Sequence, residues 1–310
     1  MTFSEINTLA KEKKPFLFIS DFKAEVLHVV PLDELEDIEF YISEDYKQTQ
    51  HSHFLEKTPL PFANYKKKFD CVLDEIKSGN TYLLNLTQPT KIKTQLSLKE
   101  IYSLANARYK LRYKDKFVCF SPEQFVKIKD NKIHTFPMKG TIDASIENAQ
   151  EKILHNEKEM AEHIMVVDLL RNDLSIVAKN VKVEKFRYIT KIDAGDKKLL
   201  QVSSHISGEL EENWQENLGD ILKSLLPAGS ISGTPKKSTL NIIEKIEEYQ
   251  RGYFSGVFGV FDGESFDSGV MIRFIEKTSN GYMYKSGGGI TLESDTELEY
   301  NELIDKIYLP

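Results

Sequence analysis

FSGVFGVFDGESFDSGVMIRFIEK, residues 254–277, holds two apolar runs on either side of Asp262-Gly263. Asp-Gly supplies the positive φ that tight hairpin turns need, so the stretch reads as two antiparallel strands. The same grammar recurs along the chain. FLFISDF (16–22), VLHVV (26–30) and IEFYI (38–42) are short apolar runs bounded by charged turns. TYLLNLTQP (81–89) reads as a strand ending at Pro89, and KFVCFSPEQFVKIKDNKIHTFP (116–137) as two or three strands with a tip at Asp130-Asn131. VAKNVKVEKFRYITKI (177–192) is a strand, and GYMYKSGGGIT (281–291) is a strand running into three glycines.

Helices interrupt these strands without a regular βαβ alternation. Apolar spacing predicts them over 63–78, 97–109, 145–174 with a break near His155, 214–226, 235–249 and the C-terminal segment. Within 145–174 the repeating positions are Met160, Ile164, Val167, Leu170 and Leu174. The expected class is a mixed α/β fold of α+β character, not a doubly wound sheet. A polar, Pro-bearing connector over 49–62 divides a reduced, strand-rich N-terminal portion (1–62) from a main domain (63–310). The two are expected to pack as one unit.

Net charge is −7 over 310 residues, with a pI near 5.6. Such a surface disfavours polyanions, so nucleic acid is not an expected partner. The N-terminus has no leader pattern and no apolar run approaches membrane-spanning length, which predicts a cytoplasmic chain without a membrane partner. Cys71 and Cys119 form no CxxC pair and read as small buried hydrophobes.

Several short motifs carry chemistry. In FPMKGTIDA (136–144), Lys139 sits between Pro137 and Gly140, with Thr141 following. A backbone shaped by Pro and Gly holds such a lysine in a fixed place. A primary amine serves as a point charge, a base or a nucleophile, and the last role asks for a lowered pKa. Glu159 and Glu162 are three apart on one helix, as are Glu299 and Glu302 on another, so each pair shares a face. Alone, each pair is ordinary helix surface. Together, without clustered His or Cys, they suit a hard cation such as Mg²⁺. His163 follows Glu162 directly, so one of the two faces away from the other's partners. Gly287, Gly288 and Gly289 have no side chains to block a ligand, and their amides can meet an anion. Thr234, in GSISGTPK (229–236), either caps the next helix or binds an anion there. Arg273, in the strand MIRFI, is either a carboxylate clamp or a surface group.

Taken together, GNTYLLNLTQP (79–89), SPEQF (121–125), PMKGT (137–141), EKEMAEHIMVVDLLRND (157–173), GSISGTPKKSTLNIIEKIE (229–247), RGYFSGVFG (251–259), IRF (272–274) and GGGITLESDTELEYNE (287–302) resemble the chorismate-utilising enzymes, in family order. The resemblance implies two layers of antiparallel sheet with outer helices and a central cleft. The PxKGT form resembles aminodeoxychorismate synthase component I, where other members carry alanine before Gly-Thr. It implies that Lys139 attacks C2 of chorismate as the C4 hydroxyl leaves, and that ammonia then enters at C4. Glu162 and Glu302 would bind Mg²⁺ directly, with Glu159 and Glu299 holding its waters. Arg273, Thr234, Thr141, Lys285, Lys236 and Gly287–Gly289 would surround the substrate, with Glu123 lining the cavity. Ammonia would come free or from a separate glutamine amidotransferase subunit. The runner-up is anthranilate synthase component I, which adds ammonia at C2 and leaves Lys139 unexplained.

Three positions depart from the family pattern. Phe254 stands where tyrosine is frequent, with Tyr253 as a substitute. Gln201 stands where histidine is frequent, with His205 four residues away. Leu83 replaces a polar residue, which argues against water addition at C2. The resemblance also carries no counterpart of a feedback-inhibitor motif.

Overall fold

The computed structural model describes residues 2–43, 53–194 and 197–310. The chain begins α1 (Phe3–Lys11), β1 (Phe16–Ser20), β2 (Leu27–Pro31), β3 (Ile38–Ile42), β4 (Glu56–Thr58), α2 (Phe62–Lys77), β5 (Leu83–Lys93) and α3 (Leu98–Leu104). It continues with β6 (Tyr109–Tyr113), β7 (Phe117–Ser121), β8 (Gln124–Lys129), β9 (Lys132–Thr135), β10 (Met138–Asp143), α4 (Ala149–Leu154) and α5 (Glu157–Val177). Next come β11 (Lys179–Ala194), β12 (Lys197–Glu209), α6 (Leu218–Leu225), β13 (Gly233–Thr234) and α7 (Lys236–Glu247). The chain closes with β14 (Val257–Phe261), β15 (Phe266–Val270), β16 (Phe274–Thr278), β17 (Gly281–Ile290) and α8 (Thr296–Asp305).

The strands form two antiparallel sheets. One has nine strands, ordered β10-β12-β9-β8-β15-β14-β1-β2 with β11 on β12. The other has eight, ordered β13-β5-β17-β16-β7-β6-β3 with β4 on β5. Alternation along β1 explains the layering. Leu17 and Ile19 join Tyr109, Leu111 and Phe274 of the second sheet in one core, while Phe16 and Phe18 join Ile6, Trp214 and Leu218 beneath the helices. The N-terminal portion is therefore woven into the molecule, with β1 between β14 and β2 and β3 at the edge of the other sheet. The first residues of the expected connector, 49–52, lie outside the described residues.

Local sequence explains most boundaries. Asp130 and Asn131 take φ of 52° and 57° at the β8–β9 tip, as a type I′ turn requires. Ser97 and Glu100 form a capping box that starts α3. That helix stops at Leu104, short of the expected 97–109, because Ala105 turns extended and the chain enters β6. β5 continues through Pro89, which sits between the stretches of β5 paired with β13 and β4. A residue without N–H is tolerated where one side of a strand has no neighbour. Cys119 is buried as expected, whereas Cys71 is exposed on α2.

The opening stretch of sequence departs most usefully from expectation. The hairpin forms as β14 and β15, but the second apolar run is not one strand. β15 ends at Val270 in the first sheet and β16 begins at Phe274 in the second. Arg273 makes the transfer with φ of 52°, an uncommon conformation for a non-glycine residue. It lies at the corner between the sheets, not within a strand.

Candidate active site

A cavity of about 510 Å³ opens at that corner. Its walls include Lys139, Gly140 and Thr141 of β10, Glu159 and Glu162 of α5, Gly287–Gly289 of β17, Glu299 and Glu302 of α8, and Arg273. The β16 ladder stops where Phe274 pairs Lys285, so residues 286–290 of β17 are paired by β5 alone. The glycine run is thus an exposed strand edge within the cavity. A Cβ on Gly288 would lie 3.0 Å from Glu299 Oε2, and one on Gly140, at φ of 84°, 3.1 Å from Glu159 Oε2. Glycine at both positions lets backbone approach carboxylate.

The break between α4 and α5 positions the first acidic pair. Asn156 caps α5 by accepting from the Glu159 N–H at 3.0 Å. Glu159, Glu162, Val166 and Leu170 then all reach the cavity. The inner face of α5 differs from the expected stripe: Ile164 is exposed, and Val166 is buried instead. His163 faces away from the cavity as a fully buried ring, with Nε2 2.7 Å from Ser204 Oγ. Burial and the charges of Arg187 and Lys139 hold its pKa down to about 4.

The lysines and carboxylates are matched. Lys139 Nζ lies 3.0 Å from Glu162 Oε2. Burial alone would lower the lysine's pKa, but Glu162, Glu302 and Glu159 outweigh it and hold the ammonium above its usual range. This reverses the lowered pKa expected for a nucleophile. Lys306 was missed by sequence reading, though it stands one helical turn after Glu302. It bridges Glu302 Oε1 at 2.7 Å and the Gly287 carbonyl at 2.8 Å. Glu123 lines the cavity and accepts from Ser230 Oγ at 2.5 Å. Burial pushes its carboxyl above the ordinary range, against the opposing pull of Ser230, Arg273, Lys139 and Lys306.

Other expected residues are placed differently. Thr234 lies outside the lining, which Ser230, Ser232 and Gly233 supply instead. Its carbonyl accepts from Tyr82 N–H and Thr81 Oγ1, and Pro235 stands at the N-cap of α7, so Thr234 does not cap that helix. Lys236 points away, to Asp173 Oδ1 at 3.1 Å and the Leu225 carbonyl at 3.0 Å. Lys285 lines the cavity, yet its ammonium is spent on Glu276 at 2.6 Å and the Arg251 carbonyl at 2.9 Å. Tyr253 does not stand in for Phe254: its hydroxyl pairs His28 Nε2 at 2.7 Å, while Phe254 lines the cavity. Gln201 and Leu83 also line it, whereas His205 pairs His134 at 3.0 Å and stacks on Phe136.

The four glutamates offer only oxygen donors, the chemistry of a hard divalent cation. Lys139 and Lys306 neutralise one carboxylate of each helix, and no three carboxylates gather about a single point among the described residues. The donor set fits Mg²⁺ in kind. No helix among the described residues is long and apolar enough to cross a membrane.

Comparisons with known proteins bear on the fold and the family. A Haemophilus influenzae protein named "Uncharacterized PabA-like protein" is 48% identical over 99% of this chain and 95% of its own length. Aminodeoxychorismate synthase component 1 of Bacillus subtilis is 29% identical over 81% of this chain, which spans about half of it, 55%. Anthranilate synthase component 1 of Aquifex aeolicus is 34% identical over 62% of this chain and 39% of its own. Among solved structures, the menaquinone-specific isochorismate synthase MenF of Escherichia coli superposes with a TM-score of 0.73 at 15% identity, covering 96% of this chain and 78% of its own. The model of the chorismate binding enzymes matches residues 19–309. The chain belongs to the chorismate binding enzyme family.

Proposed function

We propose that the chain is an aminodeoxychorismate synthase component I, converting chorismate and ammonia to 4-amino-4-deoxychorismate and water. The observation that carries this is Lys139 Nζ inside the cavity, 3.0 Å from the Glu162 carboxylate. The Lys139 ammonium gives up a proton to solvent, and the free amine attacks ring C2 as the ring double bonds shift and the C4–O bond breaks. The Glu123 carboxyl, whose pKa burial raises above the ordinary range, supplies the proton that lets the hydroxyl leave as water. Ammonia then adds at C4, the C2–N bond breaks, and the lysine amine returns.

Arg273 holds a substrate carboxylate, and the glycine edge and Lys306 face the other. Glu162 and Glu302 would hold Mg²⁺, with Glu159 and Glu299 beside them, and the ion would supply positive charge for the ring carboxylate. A separate amidotransferase, or free ammonia, provides the nitrogen. The two free cysteines fit a reducing, cytoplasmic setting.

Incubation of the purified chain with chorismate, Mg²⁺ and ammonia tests the reading, with the product identified by mass and chromatography. A 4-amino product, lost in Lys139→Ala with chorismate binding retained, supports it. Anthranilate would favour the second reading, for which the Aquifex relative speaks.

A further inference from the structure

Two buried donors at one end of the cavity have no acceptor among the described residues. Tyr284, in β17, is fully buried and lines the cavity, and its hydroxyl makes no hydrogen bond there. Arg273 Nε, from the same lining, is likewise unpartnered. The two residues flank the last β16–β17 rung, Phe274 with Lys285. The Tyr308 backbone amide lies beside the Tyr284 hydroxyl, but an N–H can only donate, so the phenolic proton is still without an acceptor. A fold loses stability by burying a donor that is left unpaired. Two such donors on one cavity wall, one of them cationic, describe an anionic acceptor that arrives with a ligand. The neighbouring ammonium groups of Lys139, Lys285 and Lys306 already hold carboxylates. The hydroxyl of Tyr253 is taken by His28, and Phe254 has none.

We propose that Tyr284 is a substrate-binding residue whose hydroxyl donates to the carboxylate that Arg273 grips. Together they fix the orientation of a carboxylate-bearing side chain on the ring. The inference rests on the chorismate reading above.

Tyr284→Phe tests it, since it removes one oxygen and no carbon. KM for chorismate is expected to rise about tenfold with kcat within about twofold, the worth of one hydrogen bond to a charged group. The urea midpoint should stay level or rise, because an unpaired buried hydroxyl is gone. In an Arg273→Lys background the same change should cost less than about threefold, since both donors hold one acceptor. An unchanged KM in Tyr284→Phe, with wild-type turnover intact, overturns this inference and leaves the reaction standing. A wild-type chain that neither binds nor consumes chorismate overturns both. A midpoint that falls with the substitution assigns the hydroxyl to a bond within the fold and overturns it as well.

Discussion

In the proposed reaction, Lys139 and Glu123 would divide the proton work through environment. Nearby carboxylates raise the lysine's pKa against its burial, and burial raises the glutamate's against Ser230 and the neighbouring cations. The active form of Glu123 is protonated, so turnover should decline as pH rises through its elevated folded pKa. Glu123→Gln should lower kcat by about a hundredfold and flatten that limb of the kcat–pH profile. His163 works on stability instead. Its pKa near 4 lies below the unfolded value of 6.5, so the unfolded chain binds the extra proton between these limits. Its contribution is complete above about pH 6.5 and is lost as pH falls toward 4. Urea titrations at pH 7.5 and 5 should show a shallower pH slope in His163→Gln than in the wild type.

At the scale of elements, the site depends on where α5 starts and on the bare edge of β17. Asn156 ends the kink after α4 and fixes the first turn that carries Glu159. Asn156→Ala should lower stability by about 1 kcal/mol, read from the urea midpoint. Gly288→Ala sets a methyl 3.0 Å from Glu299 Oε2. The carboxylate can move, so the thermal midpoint should hold within a few degrees. On the proposed reading, activity should fall at least about tenfold and need more Mg²⁺, as measured by metal titration of turnover. These two elements were legible in sequence because caps, turns and i,i+3 spacing are local. The exposure of Ile164 was not, because the face of α5 that packs inward is the one carrying Val166 and Leu170, with Glu159 and Glu162 toward the cavity.

Across the whole molecule, one buried pair ties the layers behind the cavity. Arg251 bonds Glu247 through Nε at 2.8 Å and NH2 at 2.6 Å, and also holds the Ile231 and Asn85 carbonyls at 2.9 and 2.6 Å. Both carbonyls belong to cavity-lining residues, and the guanidinium covers the Phe22 ring at 4.4 Å. Arg251→Met leaves Glu247 buried without its partner, which should cost about 3–5 kcal/mol in urea unfolding. The sequence by itself determined the strand-rich class, the hairpin tips, the helix starts and the residue types gathered in the motifs, since alternation, turn chemistry and capping act over a few neighbours. Only the tertiary structure decided that the run 268–277 splits between two sheets. It also decided that Thr234, Lys236 and Tyr253 turn away while Tyr284 and Lys306 turn in, and that Lys139 is held charged. Those outcomes depend on burial and on distances between residues far apart in the chain, such as 139 with 162 and 302, and both quantities exist only once the sheets have closed around the cavity.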